Sequence, residues 1–135
     1  MLSLKELSPA QIGSLAFAGI WSTFIPGYFQ PDKFHKDQTG GVPPTKCERL
    51  YAMEICGFCG FFGLTCALAA TDKKSARLVM IGQTAMCAFF FRFNTIVTPQ
   101  WEAFTKEKVK FFQYVWGASL AIALTSLGFD YKMTV

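Results

Sequence analysis

The stretch ICGFCGFFGLTCALAA (55–70) decides the fold class. It contains no charged side chain and no polar face, whereas a helix on the surface of a soluble bundle carries a charged face along its length. With LYAM and Glu54 just before it, the apolar block runs over 50–70, and three similar blocks occupy 12–29, 76–97 and 111–129. Each approaches or exceeds the ~18 residues that suggest a membrane helix. AFAGIWSTFI, LVMIGQTAMCAFFF and VWGASLAIALTSLGF likewise show no charged face. The prediction is an all-α polytopic membrane protein: four transmembrane helices in an antiparallel bundle, with both termini on one side.

Composition agrees. Hydrophobic residues make up 52% of the 135-residue chain and charged residues only 16%, against about 25% charged in soluble domains. Fifteen phenylalanines are available to cover helix surfaces. The formal charge of +4 is mild and could favour anionic lipid headgroups. It does not indicate nucleic acid, and no nucleic-acid motif is present. The segment MLSLKELSPAQ has mixed charge and no long apolar core. It reads neither as a cleavable secretory signal nor as an Arg-rich transit peptide, so any targeting signal is expected within the chain or upstream of residue 1.

Local signals mark the boundaries of a single transmembrane domain, 1–135. Ser8-Pro9 is a cap followed by proline at the first helical position, and Pro26-Gly27 closes the first span, giving a helix over about 9–29. PDKFHKDQTGGVPP (31–44) reads as a polar loop rich in Gly and Pro. Thr45 with Glu48 fits a capping box and opens a helix over about 46–70. TDKKS (71–75) reads as a tight turn before a helix over 76–97. Thr98-Pro99 opens the last helix, 99–129, whose first part, WEAFTKEKVK (101–110), is amphipathic and suited to the membrane interface. On this layout Lys5, Lys73, Lys74, Arg77 and Lys132 share one side, and the remaining loop cations share the other. The basic density is similar on the two sides, so the positive-inside rule does not set the orientation.

Two charges fall inside apolar blocks. Glu54 lies about 7 Å beyond Arg49 along its helix, and Arg92 about 10 Å before Pro99 on the next. A short turn joins those helices, so the two charges are expected to meet at similar depth as an intramembrane pair. An unpaired charge there costs at least ~2.5–3.5 kcal/mol. The readings that stay open are a structural pair or snorkelling, a contact with a lipid headgroup or partner subunit, and a proton, quinone or substrate site.

Small residues recur three or four apart on three helices: Ala52, Cys56, Gly60, Gly63 and Ala67; Ser14, Ala18 and Ser22; Gly117, Ala121, Thr125 and Gly128. Such stripes let membrane helices approach closely. Cys56 and Cys59 form CxxC in an apolar helix, with no second pair to complete a metal site, so the cysteines read as small apolar filler. The lone His35 reads as a solvated loop residue, which leaves no ligand pair for haem in the bundle. No metal and no cofactor are expected, and no catalytic fingerprint occurs, so the chain does not read as an enzyme.

In its Glu54, Gly57 and Gly60 pattern, LYAMEICGFCGFFGL (50–64) resembles helix 2 of the DoxX-like four-helix membrane proteins. That resemblance implies a link to membrane oxidoreductase assemblies and interest in Glu54. The leading expectation is a non-catalytic accessory subunit of a large energy-transducing complex of the respiratory-chain type, in the mitochondrial inner membrane. Its partners would be other membrane subunits and phospholipid, cardiolipin among the candidates. Lys73, Lys74, Arg77, Lys108 and Lys110 are the candidate headgroup contacts. The alternatives are a free-standing transporter, with Gln83 and Thr84 as further polar candidates on its path, a DoxX-like redox-linked protein using Glu54, and a photosynthetic subunit.

Overall fold

The computed structural model describes residues 6–97, 99 and 104–132, and all regular structure among them is helical. The helices are α1 (Pro9–Ser22), α2 (Ile25–Phe29), α3 (Pro31–Thr39), α4 (Lys46–Ala69), α5 (Lys73–Ile96) and α6 (Lys106–Lys132). Taking α1 and α2 as one span, four segments are long and apolar enough to cross a membrane: Pro9–Phe29, Lys46–Ala69, Lys73–Ile96 and Lys106–Lys132. By length and composition this is an integral membrane protein.

The helix starts follow from their caps. The Ser8 hydroxyl accepts from the Gln11 main chain and the Gln11 side chain accepts from Ser8 N–H, while Thr45 and Glu48 make the same reciprocal pair. The Asp72 carboxylate accepts from Ser75 N–H at 2.8 Å, so α5 starts at Lys73, inside the stretch expected as a turn. Proline divides the first span. Pro26 has no N–H to give and its ring crowds the carbonyl four residues back, so the helix stops at Ser22 and restarts at Ile25.

Two expectations are corrected. The polar segment 31–44 is not all loop, because α3 fills its first nine residues. Pro31 at the helix start and Gly40 at φ 71°, in the left-handed region that glycine adopts without strain, supply its two ends. The last helix begins at Lys106, with Phe104 and Thr105 outside it. Residues 98 and 100–103 of the proposed amphipathic entry, Trp101 included, lie outside the described residues.

α1 is the hub: it packs against α4, α5 and α6, while α5 and α6 form the most extensive pair. The small-residue stripe of α4 makes the α1 contact possible. A side chain at Gly63 would come within 3.3 Å of both the Ala18 carbonyl and Trp21 Cβ. Gly13 is as tightly held on the other side of α1, since a Cβ there would lie 2.6 Å from Ser126 Oγ. Buried Phe17, Met80, Cys66 and Cys87 fill the centre. An aromatic ladder crosses it, from Trp21 to Trp116 at 5.6 Å between ring centroids and on to Phe90 at 4.7 Å.

Candidate functional site

Glu54 and Arg92 are not brought together. Both are exposed, on the outward faces of α4 and α5. The ion pairs within 4.0 Å among the described residues are His35–Glu48, Arg49–Asp32 and Arg77–Asp130. The turn after Ala69 does make α4 and α5 sequence neighbours, but each packs chiefly on another helix, α4 on α1 and α5 on α6. Glu54 therefore shares its face with exposed Leu50, Phe58 and Phe61, and Arg92 lies beside exposed Phe89 and Ile96. On α4 the buried positions are Ala52, Cys56, Cys59, Gly63, Cys66 and Ala69, away from Glu54.

The ion pair that holds a buried carboxylate is a different one, Arg77–Asp130. Asp130, near the end of α6, is 3% exposed. Its Oδ2 accepts from Arg77 Nε at 2.7 Å and its Oδ1 accepts from Ala10 N–H at 3.4 Å. Next to this pair on α1, Gln11 donates from Nε2 to the Ala70 carbonyl at 2.9 Å. Residues from the start of α1, the end of α4, the start of α5 and the end of α6 are thus tied at one end of the bundle. Arg77, expected at a lipid headgroup with Lys73 and Lys74, is committed to Asp130, and the two exposed lysines remain. Lys108 Nζ sits 5.7 Å from the Phe111 ring centroid, and Lys110 is exposed. Sequence reasoning missed Asp130 because it follows the last apolar residue of its block and reads as the polar end of a helix.

Several polar groups inside the bundle are engaged, while the buried Ser14 Oγ has no partner among the described residues. Trp21 Nε1 donates to Gln83 Oε1 at 3.1 Å, and Gln83 Nε2 donates to Cys66 Sγ at 3.4 Å. Thr84 donates to the Met80 carbonyl within its own helix. Cys56 Sγ is buried against Gly27, where an added Cβ would come within 2.5 Å of it. Among the described residues no group of three or more His, Cys, Asp or Glu side chains is arranged to hold a metal ion.

The other end of the bundle is open. A cavity of about 550 Å³ lies between α3, the first turns of α4 and the approach to α6, lined by His35, Gln38, Glu48, Tyr51 and Phe104 among others. A second chamber of about 230 Å³ continues between α1, α4 and α6, and Phe34, Gln38, Ile55 and Phe104 line both. His35 is not a free loop side chain. From α3 its Nδ1 lies 3.1 Å from the Val42 carbonyl and its Nε2 lies 3.8 Å from Glu48. No family model, no curated protein and no solved structure matches this chain.

Proposed function

We propose that this chain is a non-catalytic subunit of a larger membrane assembly, packing against other subunits and lipid. One observation carries the reading. Glu54 and Arg92 lie inside apolar helices, face outward, and form no ion pair with one another or with any other of the described residues. A charge left facing hydrocarbon costs at least ~2.5–3.5 kcal/mol, less whatever snorkelling recovers. Groups on neighbouring subunits, or headgroups held between subunits, would offset that cost. The outward face of α6 is a second support: Ala121, Thr125 and Gly128 are exposed there, and a Cβ at Gly128 would meet nothing within 4 Å. Small residues on the outside of a membrane helix suit close approach of another helix.

The finer reading is an energy-transducing assembly of the respiratory-chain type in the mitochondrial inner membrane, with phospholipid such as cardiolipin at Lys73, Lys74 and the exposed Lys110. The polar groups that could line a transport path, Gln83 and Thr84, are occupied by Trp21, Cys66 and Met80, so the geometry favours the subunit over a transporter. The test is extraction in a mild detergent, native separation, and mass spectrometry of the comigrating proteins. Migration in an assembly far larger than 15.0 kDa is expected, with Glu54→Leu and Arg92→Leu each lowering the fraction incorporated. Migration of the wild-type chain alone or as a small homo-oligomer would refute the subunit reading. Loss of a turnover with full incorporation in Glu54→Gln would point instead to the redox role that the DoxX-like resemblance implies.

A further inference from the structure

The two chambers at the open end have the form of a ligand site that the assembly reading does not use. The outer volume, about 550 Å³, falls within the roughly 300–1,000 Å³ of small-molecule pockets. The inner chamber extends it to Ser119, which is about 20 Å along α6 from Lys106 at the helical rise. The walls change character along this path. The inner chamber is lined by rings, Trp21, Phe24, Phe112 and Trp116. The outer chamber carries the polar groups, His35, Gln38, Thr39, Glu48 and Thr105.

Gln38 sits in the wall common to both chambers, and its Oε1 is buried with no hydrogen-bond partner among the described residues. A buried amide oxygen left unmatched costs free energy that a donor from a ligand would recover. Two of the other polar groups at the mouth offer acceptors to an incoming ligand. Glu48 is a carboxylate, and the Thr39 hydroxyl has its proton directed at the main-chain carbonyls of His35 and Val42. A carboxylate beside an unmatched amide oxygen disfavours an anionic head and favours one that donates hydrogen bonds. The aromatic inner walls suit an apolar body, flat or extended.

We propose that this cavity binds a neutral lipid alcohol, with its hydroxyl on Gln38 Oε1 and its apolar body among the rings of Trp21, Phe112 and Trp116. The occupant is a membrane-dissolved molecule reaching the site from the bilayer, whether its body is a fused-ring sterol or a single acyl chain. The proposal stands apart from the subunit reading, because the isolated chain and the assembled one would both carry the cavity.

The test uses the full chain in lipid nanodiscs and the fluorescent sterol dehydroergosterol, with energy transfer from tryptophan as the signal. Saturable transfer is expected, competed by excess cholesterol or by 1-monooleoylglycerol, and not by phosphatidylglycerol. The better competitor of the first two assigns the body as rings or chain. Gln38→Leu is expected to weaken binding roughly fivefold, the effect of one net hydrogen bond, with helicity by circular dichroism unchanged. Absence of saturable transfer, equal competition by phosphatidylglycerol, or unchanged affinity in Gln38→Leu would each overturn the proposal.

Discussion

The two ends of the bundle differ in how their polar groups are matched. At the closed end, Asp130 holds Arg77 and the Ala10 N–H, and Gln11 spans from the α1 cap to the last carbonyl region of α4. At the open end, Gln38 leaves a buried oxygen unmatched beside a cavity, and the exposed Arg49–Asp32 pair joins α3 to α4. The closed end draws on four long helices, whereas the open end is framed by short α3 and the approach to α6. The two ends therefore differ along the bundle: one ties the helices together, and the other keeps space between α4 and α6.

The largest expected effect breaks the closed end. Asp130→Ala removes the carboxylate to which both Arg77 and the Ala10 N–H donate. Losing one partner of a buried pair costs about 3–5 kcal/mol. Because the Arg77 side chain is 44% exposed and can reach solvent, the expected loss lies at or below the lower end of that range. Denaturation in mixed micelles measures it. In a double-mutant cycle, Arg77→Ala should cost less in the Asp130→Ala background than alone, and strict additivity would disprove the latch.

Next comes a matched pair of glycines on α1. Gly13→Ala places a methyl group 2.8 Å from Ser126 Cβ and should destabilise by about 1–3 kcal/mol. Gly19→Ala meets nothing within 4 Å and should be neutral or stabilising by up to about 1 kcal/mol, through helix propensity. Thermal melting of the two variants in one detergent checks this, and equal melting points would contradict the packing of α1 on α6.

Glutamine-to-leucine changes then compare the two ends directly. Gln11→Leu strips the Ala70 carbonyl of its donor in a buried setting and should cost about 1–3 kcal/mol. Gln38→Leu removes an unmatched polar atom and should leave the unliganded protein as stable as before, or slightly more so. A Gln38→Leu loss as large as that of Gln11→Leu would remove the distinction between the ends.

The smallest effect is electrostatic and lies in the turn before α5. Hydrogen bonds from the Ser75 N–H, and then from its hydroxyl, hold the Asp72 carboxyl below its ordinary 3.8. A carboxyl lowered on folding contributes stability above its unfolded value, and that contribution is lost as the pH falls through the folded value. The wild-type advantage over Asp72→Asn should therefore be present at pH 7 and shrink progressively below pH 3.8. Melting curves of both proteins across that range test the sign, and an advantage that grew on acidification would refute it.

Much of the architecture could be read from residue order. Four apolar blocks too long and too poor in charge for a soluble bundle mark the spans, and Ser8, Thr45 and Glu48 mark two helix starts. Those features are local: a run of apolar side chains is a membrane segment wherever it packs, and a cap acts within four residues. Pro31 and Gly40 carried the signals for α3, yet the polar composition between them reads as loop. Partner choice was not local. The short turn between α4 and α5 suggested that Glu54 and Arg92 meet, but α1, held close by Gly13 and Gly63, engages both helices and α6 covers α5. Which face of each helix turns inward depends on three-dimensional complementarity of small and large side chains, and sequence separation does not encode it. For the same reason Asp130 became the buried acid and Glu54 the outward one, and the unmatched Gln38 came into view only once α3 was folded over the gap between α4 and α6.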